Sequence, residues 1–317
     1  MNKSKIPWCD FSWNPITGCK MNCPSCFARK IANRFAGVVR LNLNNTEIEK
    51  DTAQDLFTLY APLHIKKNSV IQFPTGFYPT FHKYRLDMIW RKKKPANIYV
   101  GSIGDMFGDF VPTSWILEVF QACKAAPWHN YLFMTCNPKR YAELAEQGLL
   151  PAGHNYWYGS KIAANKDVFT MEGYHSFVLI EPIEKYDMRH KLSQIEWIII
   201  ACETLLPSKR NLADRKHIEK FVKSKGDIPL FMSNDNNMRA VWNGKPIQEF
   251  PVQLQRPKDK PIPHCNKCKF CYIQKEGKRG YRHTCRHKKI LVKYKGANGR
   301  HIEGRFARTS PAWCPRR

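Results

Sequence analysis

Cys19, Cys23 and Cys26 form a C-x3-C-x2-C run inside the segment from Thr17 to Phe27. Three thiolates from one short loop can hold three corners of a [4Fe–4S] cube and leave the fourth iron open, whereas four protein cysteines would close it. Zinc is the competing occupant. It usually takes four ligands and favours C-x2-C pairs, so here it would need a partner from elsewhere in the chain. A disulfide is the weakest alternative. Met1 to Lys5 leads into no apolar signal core, and no stretch approaches the ~18 apolar residues of a membrane span. The expectation is a cytoplasmic protein, away from the membrane, whose 12 cysteines stay reduced. Spacing and compartment together favour the iron–sulfur reading.

A second cysteine group lies near the C-terminus. Cys265, Cys268 and Cys271 give C-x2-C-x2-C, and Cys285 completes four ligands within about twenty residues, a closed set for either a second [4Fe–4S] cluster or a structural zinc. Iron–sulfur is slightly favoured by the three close cysteines. His264, His283, His287, His301 and Cys314 could substitute as ligands. Lys267, Lys269, Lys278, Arg279, Arg282, Arg286, Lys288 and Lys289 are interleaved with Phe270, Tyr272 and Tyr281. Such a mixture could grip a phosphate backbone and stack on bases. The alternative is a solvated basic finger with aromatics packed on its metal.

Charge supports the first of these. The formal net charge is +26, from 52 Lys and Arg against 26 Asp and Glu. Residues 252–317 hold 19 of the basic and 3 of the acidic residues, net +16, leaving +10 for residues 1–251. A field of that kind attracts polyanions through counterion release, so nucleic acid is the expected partner, with DNA favoured. At 317 residues and 43% hydrophobic content the chain can build a sizeable core, which excludes a disordered basic tail. The division expected is a domain over 1–251 and a basic cysteine-rich metal-binding module over 252–317.

The elements that must position these residues alternate. Short apolar runs at Phe11–Ile16, Val70–Phe73, Ile98–Ser102, Tyr131–Thr135, Tyr156–Ile162, Phe177–Ile180, Trp197–Ala201 and Leu230–Ser233 predict about eight strands. Helical patterns cover Phe27–Phe35, Thr113–Ala125, Lys139–Glu146 and Asp214–Lys223. Repeated βα units of this density predict an α/β fold, a (β/α) barrel complete or partial, with its site on the loops after the strands' C-terminal ends. The cysteine loop follows the first strand, at that end. So do Ser102 and Asp105, Thr135, Ser160, Glu181, Glu203 and Ser233. A carboxylate directly behind an apolar strand needs a cationic partner or a ligand, because an unpaired buried charge is costly. Hydroxyls there could bind a ligand or cap a helix. Cys136 and Cys202 also follow strands, but read as small buried hydrophobes, as do Cys9 and Cys123.

The segment Ile6-Pro7-Trp8-Cys9-Asp10-Phe11-Ser12-Trp13-Asn14-Pro15-Ile16-Thr17-Gly18-Cys19 resembles the opening of a phage- and bacterium-encoded family described as phage Gp37/Gp68-like and grouped with radical S-adenosylmethionine (SAM) proteins. Further matches run in order through Ser102–Phe107, Met134–Pro138, Leu179–Pro182, Ile195–Glu203 and Gly244–Pro251. The chain departs from the family in having three residues between its first two cysteines, Cys136 where a Lys is common, and Ala201-Cys202-Glu203 in place of Gly-Gly-Glu. The resemblance implies a barrel of radical SAM type. It implies a [4Fe–4S] cluster on Cys19, Cys23 and Cys26, with SAM on the open iron and Phe27 beside the last cysteine. Bound SAM offers an ammonium, a sulfonium and ribose hydroxyls to Ser102, Asp105, Thr135, Ser160, Glu181, Glu203 and Ser233.

The function expected is a radical SAM enzyme that forms a 5′-deoxyadenosyl radical. Its target would be a nucleic-acid or nucleotide-derived substrate, in base modification, rearrangement or repair. A reductant such as flavodoxin or ferredoxin would supply the electron. Radical chemistry on a peptide or small molecule is the second reading. A non-enzymatic nucleic-acid-binding protein with zinc at both cysteine groups is the third.

Overall fold

The computed structural model describes residues 1–23, 26–66, 69–162, 167–181, 192, 194–201, 215–233, 238, 242, 245–255, 271–276, 280–286 and 300–302. The chain divides into two compact units, Met1–Leu254 and Gln255–Arg317.

The first unit opens with β1 (Asn2–Lys3) antiparallel to β2 (Phe11–Trp13). The sequence predicts a single strand to Ile16, but β2 stops at Trp13 and β3 (Ile16–Thr17) joins another sheet. Pro15 has no amide hydrogen for a ladder, and Asn14 Oδ1 accepts bonds from Ser102 Oγ (3.0 Å) and Ile103 N (3.1 Å), which ties the break to the loop after a neighbouring strand.

Next come α1 (Phe27–Arg34), α2 (Val39–Asn42), β4 (Ile48–Asp51), β5 (Leu56–Leu59), β6 (His64–Lys66), β7 (Ser69–Val70), β8 (Thr80–His82) and α3 (Met88–Arg91). They form an insertion with a small sheet of order β3-β8-β5-β4 and a β6–β7 hairpin. The run Val70–Phe73, expected as a barrel strand, belongs to this insertion. A short apolar run looks the same whichever sheet it enters.

The βα repetition then proceeds as expected through β9 (Asn97–Val100), α4 (Thr113–Lys124), β10 (Asn130–Thr135), α5 (Lys139–Glu146), β11 (Tyr156–Ile162), β12 (His175–Ile180), β13 (Trp197–Ile200), α6 (Arg215–Ser224) and β14 (Leu230–Met232). In α4 the buried residues Ile116, Val119, Phe120 and Cys123 recur at helical spacing, so one face packs on the sheet. Seven parallel strands lie in the order β2-β9-β10-β11-β12-β13-β14, with β1 on the outer edge of β2. Their side chains alternate between two faces. Tyr131, Phe133 and Tyr158 pack with α4 and α5, and Val178, Ile198 and Leu230 pack with α6.

The other face is concave. The ring of Trp8 lies 4.7 Å from Tyr99 on β9 and 6.4 Å from Trp197 on β13. Those strands are four spacings apart, about 19 Å in a flat sheet, so one indole reaches both only because the sheet curls. The result is a half-barrel. Residues 247–249 cover its far edge, with Met232 N bonded to Ile247 O (2.7 Å) and Glu249 N to Leu230 O (2.9 Å). A covered edge offers no template for a foreign strand.

In the second unit β15 (Cys271–Glu276), β16 (Gly280–Cys285) and β17 (Arg300–Ile302) make a three-stranded antiparallel sheet.

Candidate metal and cofactor site at the mouth of the half-barrel

Two glycines seat the cysteine loop. Gly18 has φ +83°, and a Cβ there would stand 2.2 Å from Tyr78 O; a Cβ on Gly104 would stand 2.5 Å from Gly18 O. Only glycine allows that approach, and it lets Gly18 N bond Ile103 O at 2.9 Å. Cys19 is thereby fixed beside the loop after β9. Its sulfur accepts from Met21 N at 3.3 Å. Burial pushes the Cys19 thiol up to about 12 against that N–H, with the charges of Asp105, Cys23 and Cys26 adding, so all three stand within electrostatic range. Cys26 caps α1, its sulfur accepting from Arg29 N at 3.3 Å where the helix's positive end points. Cys23 is exposed.

Beneath the loop, concave-facing positions turn polar at the strand ends. Trp157 and Lys161 share a face of β11, four residues apart. Lys161 Nζ lies 2.9 Å from Glu181 Oε2, just past β12, and both side chains are half-buried. Burial alone would lower the Lys161 ammonium, but Glu181 outweighs it and holds the pKa above its usual value, with Cys136 and Cys23 adding. Burial likewise raises the Tyr99 phenol, helped by the charges of Cys9, Glu181, Asp105 and Cys136. Glu181 and Cys136 therefore stand within electrostatic range of both Tyr99 and Lys161.

Asp105 is buried and multiply bonded. Oδ1 accepts from Thr135 Oγ1 (2.8 Å) and Phe107 N (3.1 Å), and Oδ2 accepts from Cys136 N (2.8 Å). It fastens the ends of β9 and β10 below Cys19. Ser102 is tied to Asn14. Ser160 shares its face with Tyr158 and Ile162, on the helix side, and its Oγ accepts from Phe169 N at 2.9 Å. Ser233 is buried after β14, its amide bonded to Ile200 O. Phe27 begins α1 and is 53% exposed. Glu203 lies outside the described residues.

Of the strand-end pair Ser160-Lys161, the hydroxyl is the group expected to meet a ligand, yet the ammonium is the one on the concave face. Alternation counted from Trp157 would have put Lys161 on the concave face. Tyr99 and the seating pair Gly18 and Gly104 carried no comparable signal, since their roles depend on a curl and a close approach between distant segments.

In the second unit, Cys271 and Cys285 are directly opposite in the β15–β16 register, and Arg286 stacks over Tyr272 at 3.8 Å. Directly paired Cα atoms on antiparallel strands are about 4.5–5.5 Å apart, near enough to share an ion. Arg282 contributes its backbone to β16. Cys265, Cys268, Lys267, Lys269, Arg279, Lys288 and Lys289 lie outside the described residues.

Among the described residues no three His, Cys, Asp or Glu side chains converge as a finished metal site. The donor chemistry at the mouth nonetheless fits an iron–sulfur cluster: three free thiols from one loop, two of them accepting backbone N–H bonds of the kind that tune cluster sulfurs.

Fold and site define an α/β half-barrel protein with a cysteine loop over its mouth. The chain belongs to the DUF5131 family, described as "Protein of unknown function", which it matches over residues 3–224. No curated protein matches it. Among solved structures it is similar to a cysteine-to-serine mutant of spore photoproduct lyase, at TM-score 0.38 and 8% identity, covering 93% of this chain and 73% of that one. A cysteine-to-alanine mutant with dinucleoside spore photoproduct gives the same values. A third form, a double mutant with bound AdoMet and dinucleoside spore photoproduct, gives TM-score 0.36 and 9% identity over the same shares. No helix among the described residues is long and apolar enough to cross a membrane.

Proposed function

We propose that this chain is a radical SAM enzyme acting on a nucleic-acid or nucleotide-derived substrate, kin to the phage Gp37/Gp68-like proteins, with base modification, rearrangement or repair as its outcome. The observation that carries the reading is the seating of a three-cysteine loop at the C-terminal ends of parallel strands, over a concave face whose polar groups gather there. Cys19, Cys23 and Cys26 would hold a [4Fe–4S] cluster. When bound and reduced, by a flavodoxin or ferredoxin, such a cluster supplies the electron that cleaves SAM to methionine and a 5′-deoxyadenosyl radical.

The chain's own residues have the remaining work. Asp105 and Thr135 hold the strand ends that support Cys19. Lys161 and Glu181 present a charge pair to whatever enters the concave face. Phe27, Ser102 and Ser233 would border bound SAM. Cys265, Cys268, Cys271 and Cys285 would hold a second cluster or a zinc. The net +16 over residues 252–317 would recruit nucleic acid.

Anaerobic reconstitution with iron and sulfide tests this. Dithionite-dependent release of 5′-deoxyadenosine from SAM is expected. Protein that takes up zinc alone and leaves SAM intact would falsify the reading.

A further inference from the structure

We propose that the basic turn after α3 is a second polyanion-binding surface, carried by the first unit and built to grip single-stranded nucleic acid. It stands independently of the cluster chemistry. The turn precedes β9 and packs on residues preceding β10, at the N-terminal ends of the parallel strands, whereas the cysteine loop stands over their C-terminal ends.

Arg91-Lys92-Lys93-Lys94 is four consecutive cations. Most such runs are solvated and have no fixed geometry. Here aromatic rings order three of the four. Lys93 Nζ lies 5.1 Å from the Trp90 ring and 5.3 Å from the Trp128 ring. Arg91 Cζ lies 5.9 Å from Trp90, and Lys92 Nζ 3.9 Å from Phe11. Lys3, exposed, is directly opposite Phe11 in the β1–β2 register and so projects to the same face.

The backbone of the turn is equally fixed. Lys92 O accepts from Trp128 Nε1 (2.8 Å) and from His129 Nε2 (3.0 Å), and Ile89 O also takes His129 Nε2 (3.1 Å). Since both His129 partners are carbonyls, Nε2 carries the proton. Burial keeps the imidazole pKa below its ordinary value. Asp87 pairs with Arg91, so phosphate contact falls to Lys92 and Lys93, and Asp10 Oδ2 accepts from Asn97 N.

On this ordered platform Trp90 remains 44% exposed. An exposed indole among fixed cations is the combination that stacks a base while its phosphates are neutralised. A stacked duplex would use the cations and have no need of the ring.

The test uses the full chain and a fluorescein-labelled deoxythymidine oligomer of about 20 nucleotides, longer than one binding site, titrated by anisotropy across a salt series. Trp90→Ala should weaken binding about tenfold at fixed salt, while Trp90→Phe, which keeps a ring, should bind within about twofold of the wild type. Lys92→Ala with Lys93→Ala should flatten the log affinity against log salt slope by about 1.4, at ~0.7 per phosphate contact. Melting temperatures within about 2 °C of the wild type would show that the fold is intact. Unchanged affinity and slope in all variants would overturn the proposal. So would a flattened slope with no effect of Trp90→Ala, or an equal loss for a duplex of the same length, because either would reduce the surface to unspecific charge. SAM cleavage is not a readout here, so failure of the radical reading leaves this test standing.

Discussion

The two ends of the concave face are built oppositely, although the same strands supply both. At the N-terminal ends Trp157, Phe177, Trp197 and Phe231 pack with Trp8 and Phe250, Trp197 lying 6.4 Å from Trp8 and 5.4 Å from Phe250. Two to four residues further along the same strands stand Lys161, Glu181, Ala201 and Ser233. One end is a dry aromatic plug; the other is a mouth with half-buried charges under a cysteine loop. The plug anchors the strands by burial, and the mouth can then hold groups that stabilise the fold little and are available for chemistry.

Substitutions can pull the two ends apart. The largest effect is expected at the mouth and on activity alone. Cys23→Ala should reduce iron uptake and 5′-deoxyadenosine formation to background, while the urea midpoint of the chain without iron stays near that of the wild type, because Cys23 is exposed. Trp197→Ala should do the reverse and act on stability, costing about 3–5 kcal/mol in urea unfolding through the cavity left among aromatic rings.

Asp105→Ala lies between them. It leaves Thr135 Oγ1, Phe107 N and Cys136 N without their shared acceptor, so about 2–3 kcal/mol of stability should be lost, with iron uptake impaired as well. Gly18→Ala forces a Cβ toward Tyr78 O and should cost about 1–3 kcal/mol. Its iron uptake should fall more than its melting temperature suggests, and an unchanged iron content would detach the glycine seat from the site. Lys161→Met should also cost little stability, under about 1 kcal/mol for a partly exposed ion pair. Any loss of turnover measured with it would therefore belong to the mouth's chemistry.

Much of this was legible in residue order. The βα repetition from Ile98 onward, the cysteine loop behind the first strand and the one-sided apolar pattern of Thr113–Lys124 each follow from local spacing. The insertion between β2 and β9 was less legible, because the apolar run at Val70 has no local mark saying which sheet it joins. Ser160 and Lys161 are adjacent in sequence, yet alternation sends one hydroxyl to Phe169 N on the helix side and one ammonium to Glu181 on the concave side. The basic turn at Arg91 is visible as charge, but its aromatic partners Phe11 and Trp128 are distant in the chain.

Residue types and short spacings by themselves determined the cysteine loop, the strand and helix periods and the excess of positive charge, because each depends only on neighbours within a few positions. The tertiary structure alone decided the curl that lets Trp8 reach both Tyr99 and Trp197, the approach of Gly18 to Gly104 that brings Cys19 over Asp105, and the face on which each strand-end polar group emerges. Those features require segments far apart in the chain to meet at a set distance. No local pattern encodes a distance between residues that only packing brings together.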